Sequence, residues 1–143
     1  MSNLSRFMKV NKSVKENVTF AATKSLTDEK GNPQLWEIKP LTTKQDEAIR
    51  DACTIEVPIK GKPNLFRHKV DTSKYIGKLL AAAVIFPDLM DADLQDSYGV
   101  KTPEDLLKEM IDDPGEYTEF TAFVQKFNGF NVSLDEKIDE AKN

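Results

Sequence analysis

Phe66-Arg67-His68-Lys69-Val70-Asp71-Thr72-Ser73-Lys74-Tyr75-Ile76-Gly77-Lys78-Leu79-Leu80-Ala81-Ala82-Ala83-Val84-Ile85-Phe86-Pro87 is where this chain changes period. Upstream of Asp71 the pattern alternates. Ile55, Val57 and Ile59 come first, then Phe66, His68 and Val70, which is the two-residue repeat of a strand. Downstream, Tyr75, Ile76, Leu79, Leu80, Ala83 and Val84 recur at helical spacing and form the broadest apolar stripe of the sequence. A central core helix is expected from about Asp71 to near Phe86, stopped by Pro87. The switch separates a β-rich part, about residues 16–70, from a helical part, about 71–143. The fold class it predicts is α+β: N-terminal antiparallel β hairpins followed by a C-terminal helical bundle.

Working back from Asp71, Lys60-Gly61-Lys62-Pro63-Asn64 reads as the turn of one hairpin, and Pro58 marks an edge or a bulge. Thr43 is expected to cap a helix running to about Cys53, with Asp46 as its third residue and Ala48, Ile49 and Ala52 inward. Val18-Thr19-Phe20-Ala21-Ala22 and Leu35-Trp36-Glu37-Ile38-Lys39 flank the turn cluster Asp28-Glu29-Lys30-Gly31-Asn32-Pro33, which gives a first hairpin. Leu4, Phe7 and Met8 would share one face of a short helix over 3–10. Working forward, Thr102-Pro103 and Asp113-Pro114 each place a capping side chain before a proline at the first helical position. The first helix turns Leu106, Leu107, Met110 and Ile111 inward. The second has Tyr117, Phe120, Phe123, Val124 and Phe127 on its apolar side and Gly129 as its stop. Ser133 and Glu136 form a capping box for a last helix with the stripe Leu134, Ile138 and Ala141.

At 143 residues the chain is read as a single domain, 1–143, with ample material for a core. No apolar run approaches the ~20 residues of a membrane span, and the N-terminus lacks the features of a signal peptide, so a cytoplasmic protein is expected. The single cysteine fits a reducing compartment and excludes an internal disulfide. Net charge is −4 and uneven. Residues 1–70 carry 13 basic against 8 acidic side chains, and residues 71–143 carry 7 against 16. That +5/−9 division suits head-to-tail contacts between copies. The acidic half disfavours a phosphate-binding surface, and the lysines of the basic half form no dense patch, so no nucleic-acid partner is expected.

The sequence carries few residues arranged for chemistry. His68 lies on the same strand face as Phe66 and Val70, where a half-buried structural histidine is expected rather than a catalyst. Cys53 closes a helix with no orienting group in sight. Asp88, Asp91, Asp93 and Asp96 crowd one loop but lack the central glycine and closing glutamate of an EF-hand, so they read as solvated helix caps. None of the six glycines sits in a phosphate-loop arrangement. With one histidine and one cysteine, the usual structural zinc sets cannot form. No enzyme, cofactor or metal is expected. The aromatic run from Phe120 to Phe127 reads as an inward helix face. Phe130, beyond Gly129, and the thin terminal stripe of Leu134, Ile138 and Ala141 are the candidate partner-binding residues.

Several segments, taken in order, carry a resemblance. They are Lys74-Tyr75, Pro87-Asp88-Leu89, Asp93-Leu94-Gln95-Asp96-Ser97-Tyr98-Gly99-Val100, Gly115-Glu116-Tyr117, Asn128-Gly129-Phe130 and Glu140-Ala141-Lys142-Asn143, with Trp36-Glu37-Ile38-Lys39-Pro40-Leu41-Thr42 in the front half. Together they resemble the XkdN-like tail assembly chaperones of phages and prophages of Gram-positive bacteria, over nearly the whole chain. The resemblance implies a non-enzymatic protein of the bacterial host cytoplasm, absent from the mature virion. It would bind the tape measure protein and keep it soluble while tail tube protein polymerises around it. The alternative is a structural virion subunit of the tail or connector. Such chaperones are often made in a short form and a frameshift-extended form, and the resemblance allows a homo-oligomer, as a ring or filament along the client. The closing Ala141-Lys142-Asn143 is compatible with a −1 slippery heptamer, which the codons of the gene would reveal.

Overall fold

The computed structural model describes residues 3–130. Strands β1 (Val18–Phe20) and β2 (Trp36–Ile38) form the expected hairpin, with Val18 opposite Ile38 and Phe20 opposite Trp36. The connection is closed by a Thr27–Pro33 bridge, and the Asp28 carboxylate accepts the N–H groups of Lys30 and Asn32. An aspartate at the first turn position supplies this local acceptor, and Gly31 takes the positive φ (84°) that the turn requires. Alternation puts Trp36 and Ile38 on the inner face, where both are buried.

The sheet does not end with the hairpin. Helix α2 (Thr72–Ala83) stops three residues before Phe86, and Val84–Phe86 forms a further strand, β5, antiparallel to the free side of β2. The sheet order is β1-β2-β5. This corrects the longer helix expected from the periodicity. Val84, Ile85 and Phe86 are branched or aromatic residues that favour extended backbone, and Pro87 biases the residue before it the same way. The open edge of β2 then supplies hydrogen bonds that a last helical turn would have had to make internally. Lys39 N–H donating to Ala83 O (2.8 Å) marks the junction. A strand from the helical half thus completes the N-terminal sheet, so strands and helices are less segregated along the chain than the pattern implies.

Helix α1 (Thr43–Ala52) is capped by Thr42, one residue earlier than expected. Thr42 Oγ1 accepts from Gln45 N–H (3.2 Å), and Gln45 Oε1 accepts from Thr42 N–H (2.9 Å), a reciprocal capping box. Ala48 and Ala52 are exposed rather than inward, and only Ile49 of that trio is half-buried. Strands β3 (Thr54–Ile59) and β4 (Lys62–Val70) form the second hairpin with the expected irregularity at Pro58. Its turn is shorter than expected: Lys60-Gly61 alone connects the strands, Gly61 having φ 78°, and Pro63 and Asn64 fall within β4.

Helices α3 (Ala92–Ser97), α4 (Pro103–Met110) and α5 (Pro114–Phe127) follow. Each is capped by the side chain just before it, Asp91, Thr102 and Asp113 respectively. Pro103 and Pro114 sit at the first helical positions, where the missing N–H costs nothing. Helix α2 contacts α1, α4 and α5, and its Leu79, Leu80 and Ala83 are fully buried. The main core joins Trp36 and Ile38 of the sheet to Leu80, Leu106, Leu107, Ile111, Phe120 and Val124 of the helices. A second cluster, Cys53, Tyr75 and Leu79, lies under α1. At the N-terminus the expected helix takes the tighter 3₁₀ form over Asn3–Phe7 and Lys9–Asn11, with Leu4, Phe7 and Met8 all exposed.

Candidate interaction surface

Phe130 is the one candidate binding residue within the described part of the chain. Leu134, Ile138 and Ala141 lie outside the described residues. Helix α5 positions Phe130 through its own termination. The N–H of Gly129 donates to Lys126 O (3.0 Å), and that of Phe130 donates to Gln125 O (2.7 Å), the bond pair of a Schellman motif. Gly129 holds the required left-handed backbone at φ 87°. Asn128 fastens the same end to the front of the protein. Its Oδ1 accepts from Leu41 N–H (2.7 Å), and its Nδ2 donates to Val124 O (2.9 Å). Phe130 leaves this rigid corner 45% exposed.

The rest of the aromatic run turns inward, as the spacing implied. Phe120 is fully buried, edge-on to Trp36 with ring centroids 5.8 Å apart. Phe20 stacks on Phe123 at 4.2 Å, Phe123 stacks on Phe127 at 6.2 Å, and the Lys15 ammonium lies 4.3 Å from the Phe127 centroid. At the other end of α5, Glu116 reaches back to the loop after β1. Its Oε1 accepts from Thr23 Oγ1 (2.7 Å) and its Oε2 from Lys24 N–H (2.8 Å).

Two further apolar surfaces escaped the sequence reading. One lies where Leu35 and Phe86, both exposed, flank a cleft of about 250 Å³ over Leu26, Trp36 and Met110. The expectation of helix through Phe86 concealed it, although the Val84-Ile85-Phe86-Pro87 composition was the available signal. The other is a groove of about 420 Å³ between α1 and α2, floored by Ala48, Ala52, Ala81 and Ala82. Its signal was an apolar stripe of small residues on α1, read as core.

Cys53 is buried against Tyr75 and Leu79, whereas His68 is exposed on the β3–β4 hairpin rather than half-buried, because that face of the hairpin is left uncovered. Among the described residues, no group of three or more His, Cys, Asp or Glu side chains is placed to hold a metal ion. Asp88 and Asp91 spend their carboxylates on the local backbone, accepting from Met90 N–H (3.0 Å) and Leu94 N–H (2.8 Å). The densest polar cluster is structural. Tyr75 donates its hydroxyl to Asp46 Oδ1, Arg50 Nε donates to Asp46 Oδ2 (2.9 Å), and the Arg50 guanidinium lies 4.7 Å from the Tyr75 ring centroid. Burial, reinforced by the Asp46 hydrogen bond, pushes the Tyr75 phenol up to about 12. No described helix is long and apolar enough to cross a membrane.

The chain is similar to known proteins over nearly its whole length. The family described as phage XkdN-like tail assembly chaperone protein matches residues 4–142. Phage-like element PBSX protein XkdN of Bacillus subtilis (strain 168) is 26% identical over 141 residues, covering 99% of this chain and 94% of XkdN. The uncharacterized protein YqbN of the same strain is 23% identical over 141 residues, covering 99% and 93%. The crystal structure of YqbN superposes with a TM-score of 0.75 at 20% identity, over 91% of this chain and 98% of that one, so the two share the fold. With the family pattern matched from the first 3₁₀ turn to the penultimate residue, the chain belongs to the XkdN-like phage tail assembly chaperones.

Proposed function

We propose that this protein binds the tape measure protein of its phage or prophage and keeps it soluble in the host cytoplasm until tail tube subunits polymerise around it. The observation that carries this reading is the family match along residues 4–142, which makes the chain a tail assembly chaperone without itself naming a client. The structure supports it in a general way. Its polar clusters are spent on holding elements together, while Phe130, Leu35 and Phe86 are large apolar side chains left in solvent. Exposed apolar groups on a heavily charged surface suit transient shielding of an apolar-striped helical client. Phe130 sits at the rim from which the Leu134, Ile138 and Ala141 stripe continues in sequence, and these four residues are the proposed client contacts. The role is non-enzymatic and needs no cofactor.

The test is co-expression with the tape measure protein encoded in the same phage or prophage, followed by affinity capture and a soluble-fraction assay. The tape measure protein should be soluble and co-purify only when this chain is present. Phe130→Ser and truncation before Ser133 should reduce capture while leaving the thermal transition of this chain in place. A tape measure protein that neither binds nor gains solubility removes the proposal. Recovery of this chain from purified particles would favour a virion subunit instead.

A further inference from the structure

The stretch before β1 and the stretch after α5 leave the domain at one corner. The Lys15 ammonium lies 4.3 Å from the Phe127 ring centroid, and Asn17 Nδ2 donates to Glu37 Oε2 (2.8 Å). The base of the N-terminal stretch is thus pinned beside the last turn of α5, and Phe130 departs from that same turn. Upstream of the pin, residues 3–17 form an arm rather than a layer of the core. Its two 3₁₀ turns are shaped by hydrogen bonds within the arm. Met8 N–H donates to Ser5 O (3.2 Å), Asn11 N–H to Met8 O (2.9 Å), and Asn11 Nδ2 to Ser5 O (2.7 Å). Only Ser5 is even half-buried. Phe7, Val10 and Val14 are 84%, 87% and 86% exposed, and Met8 is exposed beside them. Short helical turns are marginal without something to pack on, and a run of open apolar side chains marks a contact surface.

The arm is also basic, with Arg6, Lys9, Lys12 and Lys15 against Glu16. Residues 131–143 have the complementary composition. Leu134, Ile138 and Ala141 recur at helical spacing, and Asp135, Glu136, Asp139 and Glu140 outnumber Lys137 and Lys142. Apolar strip would meet apolar strip, with opposite charges flanking them. Reach is sufficient, because Phe7 precedes Lys15 and Leu134 follows Phe127 by roughly 25 Å of extended chain each. Tethering at a shared corner gives an effective concentration on the order of millimolar, so a pairing too weak for separate peptides closes within one chain.

We propose that the N-terminal arm and the segment 131–143 of the same chain dock on one another, with Phe7, Met8, Val10 and Val14 against Leu134, Ile138 and Ala141. In the free protein each strip covers the other. A client that uses the Leu134, Ile138 and Ala141 stripe then displaces the arm. That consequence rests on the client contacts proposed above, whereas the arm contact does not, and its test contains no client.

The test uses the full-length chain. With Val10→Cys and Ile138→Cys together, mild oxidation should give an intrachain disulfide at a rate independent of protein concentration, the native Cys53 being buried. Lys9→Glu with Lys12→Glu should slow that closure at least about fivefold, and adding Asp135→Lys with Asp139→Lys should restore it. The arm positions are exposed, so the fold tolerates these changes. Amide NMR gives a readout without engineered cysteines: Leu134→Asp with Ile138→Asp should shift the resonances of residues 4–15. Disulfides that form only between chains would assign the strip to a second copy. Shifts confined to the α2–α5 groove around Ile76, Lys108 and Thr121 would seat the segment there instead. Arm resonances that the variant leaves in place would remove the contact, and their broadening by phosphatidylglycerol vesicles would assign the arm to a membrane surface. Each of these results overturns the proposal, as does a closure rate indifferent to the charge reversals.

Discussion

Replacing Tyr75 by phenylalanine isolates the bond that ties α1 to α2. Tyr75 is 7% exposed, and its hydroxyl donates to the Asp46 carboxylate, which also holds Arg50. A hydrogen bond to a charged group contributes about 1.5–3 kcal/mol. Tyr75→Phe leaves Asp46 with its arginine, so no buried charge is orphaned, and Arg50 is 46% exposed, so water screens the cluster. A loss of about 1–2 kcal/mol at neutral pH is expected. The second signature is alkaline. The phenol releases its proton near 10.0 in the unfolded chain and near 12 in the fold. Between these values the folded chain binds more protons than the unfolded one. The contribution of Tyr75 is therefore complete below pH 10 and is lost as pH rises toward 12. The rise from 10.0 to about 12 sets a ceiling of about 3 kcal/mol, which screening by solvent around Arg50 lowers. Urea denaturation of both proteins, at neutral pH and through this alkaline window, measures each effect. The wild type should lose its advantage over Tyr75→Phe as the phenol titrates. Equal stability at neutral pH, or a difference that stays flat through the window, refutes the reasoning.

Three other outcomes follow from the packing. Phe120→Ala removes a fully buried ring held between Phe20 and Trp36 and should cost about 3–5 kcal/mol in denaturant unfolding. Gly129→Ala meets no described atom within 4 Å, so its expected cost is that of left-handed backbone, about 1–2 kcal/mol, seen as a lower Tm. Thr23→Val keeps the buried shape but removes a donor to Glu116; a loss of about 1–3 kcal/mol is expected in chemical denaturation, and an unchanged midpoint would show that the clasp is dispensable.

The helix starts were legible because they are local chemistry. Thr102-Pro103 and Asp113-Pro114 name their helices, and the Gly129 stop follows from its φ. The one-residue error at Thr42 arose because Thr43 offers the same hydroxyl, and only the Gln45 side chain, closing the box, distinguishes them. Strand β5 was hidden for a different reason. Val84 continues the helical stripe, and the stripe does not record that β2 has an open edge nearby. Ala48 and Ala52 had the spacing of a buried face, and spacing cannot say whether a partner helix arrives to cover it. Of the four candidate binding residues, only Phe130 can be placed, and its exposure was legible from its position just past the helix stop.

Helix α5 is fastened to the front of the protein at both ends, through Thr23–Glu116 and Leu41–Asn128, contacts 93 and 87 residues apart in sequence. Among the described residues, the rings stacked on or edge-on to Trp36 and Phe20 belong to that helix. A nascent chain emerging at about 5–20 residues per second therefore displays the apolar face of its first hairpin for several seconds before the helix that covers it leaves the ribosome. The order of synthesis leaves that face uncovered until α5 arrives, and the two clasps close the interval late and together.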